Sequence, residues 1–153
     1  RGLGDVYKSQ LRRLRKHGIR VPRPISYNKN VLIMELIGES EASPRLRDVI
    51  IDEPYEVFED LLDMVAVSWQ KANLVHADLS EYNILWNDGE PWLIDVGQGV
   101  THQHPHAEEF LVRDVTRLVN WINKQGFDAD LADSMLRVLD EPVPELPELP
   151  GGD

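Results

Sequence analysis

Three polar side chains have the types and the spacing that phosphoryl transfer needs. Asp78 and Asn83 lie in the run HADLSEYN (76–83), and Asp95 follows twelve residues after Asn83. Phosphoryl transfer needs a carboxylate to orient or accept the proton of the incoming hydroxyl. It also needs oxygen ligands for Mg²⁺, which prefers carboxylates, amide oxygens and phosphates. The pattern H-x-D-L-x-x-x-N followed by an Asp on a strand supplies all three groups.

A hairpin is the element that must bring Asn83 and Asp95 together. Strands predicted over 84–86 and 92–96 flank the segment 87–90, in which the pair Asp88-Gly89 favours a tight turn. Asn83 precedes the first strand and Asp95 ends the second, so both lie at one end of the pair. The alternative is that Asp78 and Asn83 only close turns and that Asp95 caps a strand. The joint match of motif, hairpin and spacing argues against it.

The other predicted elements indicate an α+β arrangement. Helices are expected over 5–17, with Gly18 as C-cap, and over about 55–72, 107–123 and 128–139. Two more short strands are expected over 24–27 and 31–36. The proline-rich tail, 141–153, is expected to be extended or disordered.

Charge is distributed unevenly along the chain. The net charge is −11, and residues 1–29 hold nine Lys/Arg and one acid, which leaves −19 on the rest. The basic cluster Arg12, Arg13, Arg15, Lys16, Arg20 and Arg23 is either a solvated helix face or a surface that follows a nucleic-acid backbone. The chain has no cysteine, no run apolar enough to cross a bilayer and no signal peptide, so we expect no membrane association and a cytoplasmic location.

The two central motifs resemble one known family. HADLSEYNILW together with WLIDVGQGV resembles the RIO family of atypical protein kinases, closest to its type-1 branch. The segments GIRVPRPI (18–25), MELIG (34–38) and HPHA (104–107) resemble further stretches of that family. The resemblance covers most of residues 18–123 and implies a protein-kinase-like fold, mainly the helical C-lobe with a partial N-lobe. The implied units are 1–38 (partial N-lobe with the hinge), 39–140 (C-lobe) and 141–153 (acidic tail).

The resemblance also implies roles for individual residues. Asp78 corresponds to the catalytic Asp, while Asn83 and Asp95 correspond to metal ligands for Mg²⁺ and ATP. Members are described as ATPases that form a phospho-aspartate at the last position, so Asp95 is also a potential phosphoryl acceptor. Backbone groups of Glu35 and Ile37 correspond to those that bind adenine. Ser80 stands where conventional protein kinases carry a Lys, which favours the RIO family.

The implied function is that of a serine/threonine kinase or ATPase in maturation of the small ribosomal subunit. It would act on a protein substrate or on itself, and the segment 12–23 would suit contact with ribosomal RNA. Two expected parts, a glycine-rich loop and a strand Lys, are not found before the first helix, and Tyr7 stands where the Lys-pairing Glu is expected. We therefore expect either a fragment that lacks most of the N-lobe or a degenerate member of the family. A pseudokinase scaffold that binds a ribosome-assembly partner is one alternative function. An aminoglycoside-type small-molecule kinase is another, although SEY (80–82) and VGQ (96–98) speak against it.

Overall fold

The computed structural model describes residues 3–28, 31–34, 43–96 and 99–150, which form helices and two-stranded antiparallel sheets. The helices are α1 (Leu3–Lys16), α2 (Pro54–Val67), α3 (Ala107–Lys124) and α4 (Leu131–Leu139), with a 3₁₀ turn at Leu46–Asp48. The strands are β1 (Pro24–Asn28), β2 (Val31–Met34), β3 (Leu74–Val75), β4 (Ile84–Asn87), β5 (Glu90–Leu93) and β6 (Val100–Thr101). Helices and hairpins occupy separate segments, so the predicted α+β class is confirmed.

The two predicted hairpins are present. β1 pairs with β2, and β4 pairs with β5 in a register that sets Ile84 opposite Leu93. At the second turn Asp88 and Gly89 have φ values of 53° and 74°, the two positive angles of a type I′ turn. The strand predicted over 92–96 instead ends at Leu93. It ends early because Asp95 has a φ of 57°, which lies outside the β region. β3 pairs with β6, a sheet that the sequence does not predict.

The core is built mainly by α2 and α3, whose apolar residues recur at helical spacing. Completely or almost completely buried members are Phe58, Leu61, Leu62, Met64, Leu111, Val115, Leu118 and Ile122. Burial of one such side chain contributes about 1.5–3 kcal/mol. The helix predicted over 55–72 is present, but its last five residues, Ser68–Ala72, form a π turn. α4 begins at Leu131 rather than at 128, because the Asp130 carboxylate caps it by accepting the amide of Asp133.

The tail that follows α4 has no helix or strand up to residue 149, and it packs against the end of α1. Val143 and Leu146 pack against the core while remaining partly exposed. The amide of Leu149 donates to the carbonyl of Arg15 at 3.2 Å. Gly18 follows α1 with a φ of 84°, as expected of a C-cap, and a Cβ at this position would lie 2.5 Å from Cβ of Leu146. The described part of the tail is thus irregular but held by contacts.

Three of the six residues of the basic cluster form hydrogen bonds with the backbone of other parts of the fold. Arg13, Arg15 and Arg20 donate hydrogen bonds to backbone carbonyls, those of Ala72, Val21 and Pro91 respectively. Arg15 is only 3% exposed. The side chains of Arg12 and Lys16 are exposed and form no hydrogen bond or ion pair with a described residue. A solvated helix face therefore describes only part of this cluster.

The described residues do not test two of the sequence predictions. Glu35 and Ile37, expected to bind adenine through their backbone, lie outside the described residues, and the division into 1–38, 39–140 and 141–153 stays a prediction. None of the helices in the described ranges is both long and apolar enough to span a membrane.

Candidate functional site

Asp78 and Asn83 contact each other in the loop between β3 and β4. The side-chain amide of Asn83 donates through Nδ2 to the carbonyl of Asp78 at 2.6 Å and to its Oδ2 at 3.3 Å. The backbone amide of Asn83 donates to the carbonyl of Ser80 at 2.9 Å and closes the turn between them. Because Nδ2 is used, Oδ1 of Asn83 is the acceptor atom left without a partner among the described residues.

The β4–β5 hairpin brings Asp95 to the same end as Asn83. The amide of Ile94 donates to the carbonyl of Asn83 at 3.0 Å, and Asp95 is the next residue. The Asp95 side chain is exposed and forms no hydrogen bond or ion pair with a described residue. Its left-handed backbone conformation is one that Asp tolerates better than most residues. The backbone thus places Asp95 beside Asn83 with both carboxylate oxygens available.

His76 connects the loop to the end of the hairpin. The amide of Asp78 donates to Nδ1 of His76 at 3.2 Å, so Nδ1 is the unprotonated nitrogen. Nε2 therefore carries the hydrogen and donates to the carbonyl of Ile94 at 2.6 Å. Both ring nitrogens are used in holding the backbone on either side of the site. This geometry agrees with a structural role for His76 and leaves neither nitrogen directed at a substrate.

Asp114, on α3, holds the loop by binding its backbone amides. Its carboxylate is 1% exposed and accepts the amides of Ala77 at 2.9 Å and Leu79 at 3.0 Å. Burial raises the pKa of the Asp114 carboxyl, whereas the bonds from the amides of Leu79 and Ala77 and the positive charge of Arg113 act in the opposite direction. Arg113 donates to the carbonyl of Ala77 at 2.6 Å. These bonds offset the cost of the positive φ of Ala77, 74°, which is of order 1–3 kcal/mol.

Arg117 contacts the candidate catalytic carboxylate itself. Its Nη1 donates to Oδ1 of Asp78 at 3.1 Å, and the side chains are 37% and 50% exposed respectively. Both residues line an open groove of about 480 Å³, together with Ser80, Glu81, Tyr82, Asn83, Asn120 and Lys124. The groove therefore opens directly beside the carboxylate of Asp78. A reacting group could approach from this side.

Sequence reasoning found the loop and the hairpin but missed the contacts from α3. Arg113 and Asp114 belong to the stretch after HPHA that also resembles the RIO family, whereas nothing in the sequence marks Arg117. One signal was available for Asp114, because it stands among Leu111, Val115 and Leu118 on the apolar face of a predicted helix. A charged residue in such a stripe must find buried partners. No comparable signal marks Arg117.

The donor atoms at this end of the hairpin fit a magnesium nucleotide. Mg²⁺ takes one or two protein carboxylates and completes its shell with substrate phosphates and water. Asn83 Oδ1 and the Asp95 carboxylate are hard oxygen donors without protein partners among the described residues. Within the described part of the chain, no three His, Cys, Asp or Glu side chains converge as a metal site.

Comparisons of sequence identify similar proteins. A sequence profile described as the RIO domain matches residues 8–134. The RIO-type serine/threonine-protein kinase Rio1 of Haloferax volcanii is 44% identical over 123 residues, which are 80% of this chain and 42% of that protein. Human serine/threonine-protein kinase RIO3 is 37% identical over 129 residues, 82% of this chain and 25% of that protein. The chain thus spans less than half the length of these curated relatives.

Solved structures of the Rio2 kinase from Chaetomium thermophilum have a similar fold. One, an ADP/Mg²⁺-phosphoaspartate complex, superposes with a TM-score of 0.67 at 23% identity, covering 92% of this chain and 47% of that one. A second has a TM-score of 0.66 at 23% identity, covering 86% and 45%. The similarity confirms the protein-kinase-like fold that the motifs led us to expect.

Proposed function

This chain belongs to the RIO domain family, and from that premise we propose that it carries the phosphoryl-transfer site of a serine/threonine kinase that uses Mg-ATP. The observation that carries the proposal is the contact of Asn83 with Asp78 at the end of the hairpin that leads to Asp95. The curated relatives are named serine/threonine-protein kinases, which supports the same activity. Since this chain spans only part of those relatives, activity of the whole protein belongs to the proposal.

Each of the proposed residues has a defined task in the reaction. Asp78 accepts a hydrogen bond from the acceptor hydroxyl and takes its proton as the new O–P bond forms. The bond from the γ-phosphorus to ADP breaks at the same centre, and ADP leaves. Asn83 Oδ1 and the Asp95 carboxylate would hold Mg²⁺, which when bound neutralises charge on the β- and γ-phosphates. Backbone groups of Glu35 and Ile37 would bind adenine.

Asp95 has a second proposed task as a phosphoryl acceptor. A carboxylate that received the γ-phosphoryl group would form an acyl phosphate, and its hydrolysis would complete an ATPase cycle. Asp95 is accessible to such a transfer, because it is exposed and has no hydrogen bond or ion pair among the described residues. One of the solved Rio2 kinase structures is a phosphoaspartate complex, which supports the proposal. Kinase and ATPase reactions would then share one site.

A labelling experiment tests the proposed activity. This chain, and the same chain extended at its N-terminus by the corresponding segment of the Haloferax relative, are incubated with Mg²⁺ and γ-labelled ATP. We expect at least the extended form to transfer label, and both Asp78→Ala and Asp95→Asn to abolish the transfer. Asp88→Asn is the matched control for Asp95→Asn, because Asp88 also has a positive φ (53°) but lies in the distant turn. Treatment of the labelled protein with hydroxylamine then identifies the labelled residue type, because hydroxylamine releases phosphate from an aspartyl phosphate and not from phosphoserine.

The same experiment, repeated with a protein substrate and with an aminoglycoside, decides between the rival functions. A pseudokinase scaffold predicts neither ATP turnover nor labelling in either form. An aminoglycoside-type phosphotransferase predicts transfer to a small hydroxylated substrate without labelling of protein. Transfer to protein, or labelling of the chain itself, supports the kinase or ATPase proposal.

We place the proposed activity in maturation of the small ribosomal subunit, because that is what the family resemblance implies, and in the cytoplasm, the location expected from the sequence. Of the six basic residues at 12–23, Arg12 and Lys16 are the exposed ones without a hydrogen bond or ion pair among the described residues, so they are the proposed contacts to ribosomal RNA. Pre-ribosomal particles and a protein substrate are the partners that follow from this proposal.

A further inference from the structure

Arg117 supplies the positive charge nearest to Asp78 among the described contacts. The segment 74–83, which contains both Asp78 and Asn83, has no Lys or Arg. The cation that reaches Asp78 comes instead from α3, at 3.1 Å from Nη1 to Oδ1. The two residues are 39 positions apart, so the fold and not the local sequence brings them together.

The guanidinium retains donors for a second partner. Arginine has five N–H donors in a planar fork that matches the geometry of a phosphate. Among the described residues, Asp78 is the one hydrogen-bond partner of the Arg117 side chain, which donates to it through Nη1. The side chain is 37% exposed and lines the 480 Å³ groove that opens at Asp78. The remaining donors are therefore accessible from the side on which a reacting group would arrive.

We propose that Arg117 is a catalytic residue that binds the phosphoryl group as it is transferred to the acceptor hydroxyl held by Asp78. The inference rests on the proposed phosphoryl transfer and adds to it the residue that neutralises the moving group. Developing negative charge on the phosphoryl oxygens is what arginine and lysine side chains stabilise in such reactions.

General hydrogen-bond and reaction distances place the transferred group near Arg117. An acceptor hydroxyl must lie about 2.6–3.2 Å from an oxygen of Asp78 to lose its proton there. If it bonds the oxygen that Arg117 also contacts, it lies within about 6 Å of Nη1, the sum of two hydrogen-bond lengths. The attacked phosphorus is then about 3–3.5 Å further along the same line of approach. Arg117 would therefore have to move toward the phosphoryl oxygens by a change of side-chain rotamer.

The proton and electron balance is the same with and without Arg117. The proton of the hydroxyl goes to Asp78, the new O–P bond forms, and the bond to ADP breaks. Arg117 remains protonated throughout and contributes only hydrogen bonds and charge. The rest of α3 gives it a fixed base, since Arg113 and Asp114, one turn earlier, are bonded to the backbone of the same loop.

Turnover of Arg117 variants gives the first test. In the form of the chain that transfers label from ATP, we expect Arg117→Met to lower kcat about 100-fold with little change in KM for ATP, as for loss of one transition-state donor. Arg117→Lys should recover part of the rate, and millimolar guanidinium should raise the rate of Arg117→Met only. Lys71→Ala removes an exposed charge elsewhere and serves as the control. An unchanged kcat in Arg117→Met, or a loss that guanidinium does not relieve, would overturn the inference while leaving the proposed function in place.

A binding measurement tests the inference without turnover. Aluminium fluoride with Mg-ADP mimics the phosphoryl group in transfer, whereas Mg-ADP alone lacks it. Calorimetry on the form of the chain that transfers label should show that Arg117→Met weakens binding of Mg-ADP-aluminium fluoride about 10- to 100-fold, the loss expected for a hydrogen bond to a charged group. Binding of Mg-ADP alone should not change. Equal losses for both ligands would assign Arg117 to general positioning of the loop and contradict the inference. Failure of wild type to bind either ligand would instead contradict the proposed function, and the inference with it.

Discussion

The carboxylate of Asp114 accepts the amide hydrogen of Leu79 at 3.0 Å, across 35 residues of sequence and in almost complete exclusion from solvent. Its second oxygen accepts the amide of Ala77, so the two bonds flank Asp78 on both sides. The orientation of the candidate catalytic carboxylate is thereby set by a buried residue on another element. A loop with this many polar groups would otherwise have several conformations of similar free energy.

We predict that Asp114→Asn destabilises the protein and loosens the loop. An amide has one acceptor oxygen, so its NH₂ group would face one of the two backbone N–H donors and leave it without a partner. The expected cost is about 1–3 kcal/mol in the free energy of unfolding, measured by urea denaturation. Hydrogen exchange at the amides of Ala77 and Leu79 should become faster. Asp128→Asn, an exposed position with no described side-chain contact, is the control, and equal stability of the two variants would contradict the prediction.

The contact between Gly18 and the tail gives a second prediction. Gly18→Ala adds a Cβ that would lie 2.5 Å from Leu146 Cβ and 2.7 Å from the carbonyl oxygen of Pro147. Gly126→Ala is the matched control, because Gly126 also has a positive φ (99°) but has open space around it. Both variants should lose about 1–2 kcal/mol from the backbone strain. Only Gly18→Ala should lose more and become sensitive to proteolysis in the tail, and identical behaviour of the two would show that the tail does not pack as described.

A pH dependence should follow from the ion pair between Arg20 and Asp60. Burial raises the pKa of the Asp60 carboxyl above 3.8, and Arg20 partly offsets that rise. In Arg20→Met the pKa of Asp60 rises further, so the folded state loses stability as the pH increases through the interval between 3.8 and that raised value. The difference in unfolding free energy between wild type and Arg20→Met should therefore grow with pH above about 4 and then level off. The pH dependence should be much smaller in the background of Asp60→Asn, where Arg20 keeps only its partly exposed ion pair with Glu90 at 3.7 Å.

Much of the site could be read from the sequence, because its local parts have local signals. The Asp88-Gly89 turn fixes the hairpin register, and that register places Asn83 beside Ile94. Local signals of this kind do not specify the backbone conformation of a single residue, nor its contacts with distant parts of the chain. Nothing in the sequence marks Asp95 as left-handed rather than extended, so the strand was predicted too long. Arg15 was expected to be solvated, yet it is buried because carbonyls of Val21 and Pro150 accept its hydrogen bonds.

The exposed part of the basic cluster leads to a prediction about RNA. Arg12→Gln combined with Lys16→Gln should weaken binding of ribosomal RNA. The salt slope of log K should fall by up to about 0.9 for each phosphate that these side chains no longer neutralise. The measurement is a titration at several KCl concentrations, and Arg47→Gln, outside the basic segment, is the control. A double variant with unchanged affinity and slope would remove this surface from the proposed RNA contact.

The most direct test of the account is an experimental structure of this chain with Mg²⁺ and a non-hydrolysable ATP analogue. We predict one Mg²⁺ ion bound to the γ-phosphate, with Asn83 Oδ1 and a carboxylate oxygen of Asp95 both about 2.0–2.1 Å from the metal. The carboxylate of Asp78 should face the γ-phosphorus across the groove. A magnesium ion bound without either Asn83 or Asp95, with the Asp95 carboxylate directed into solvent, would contradict it.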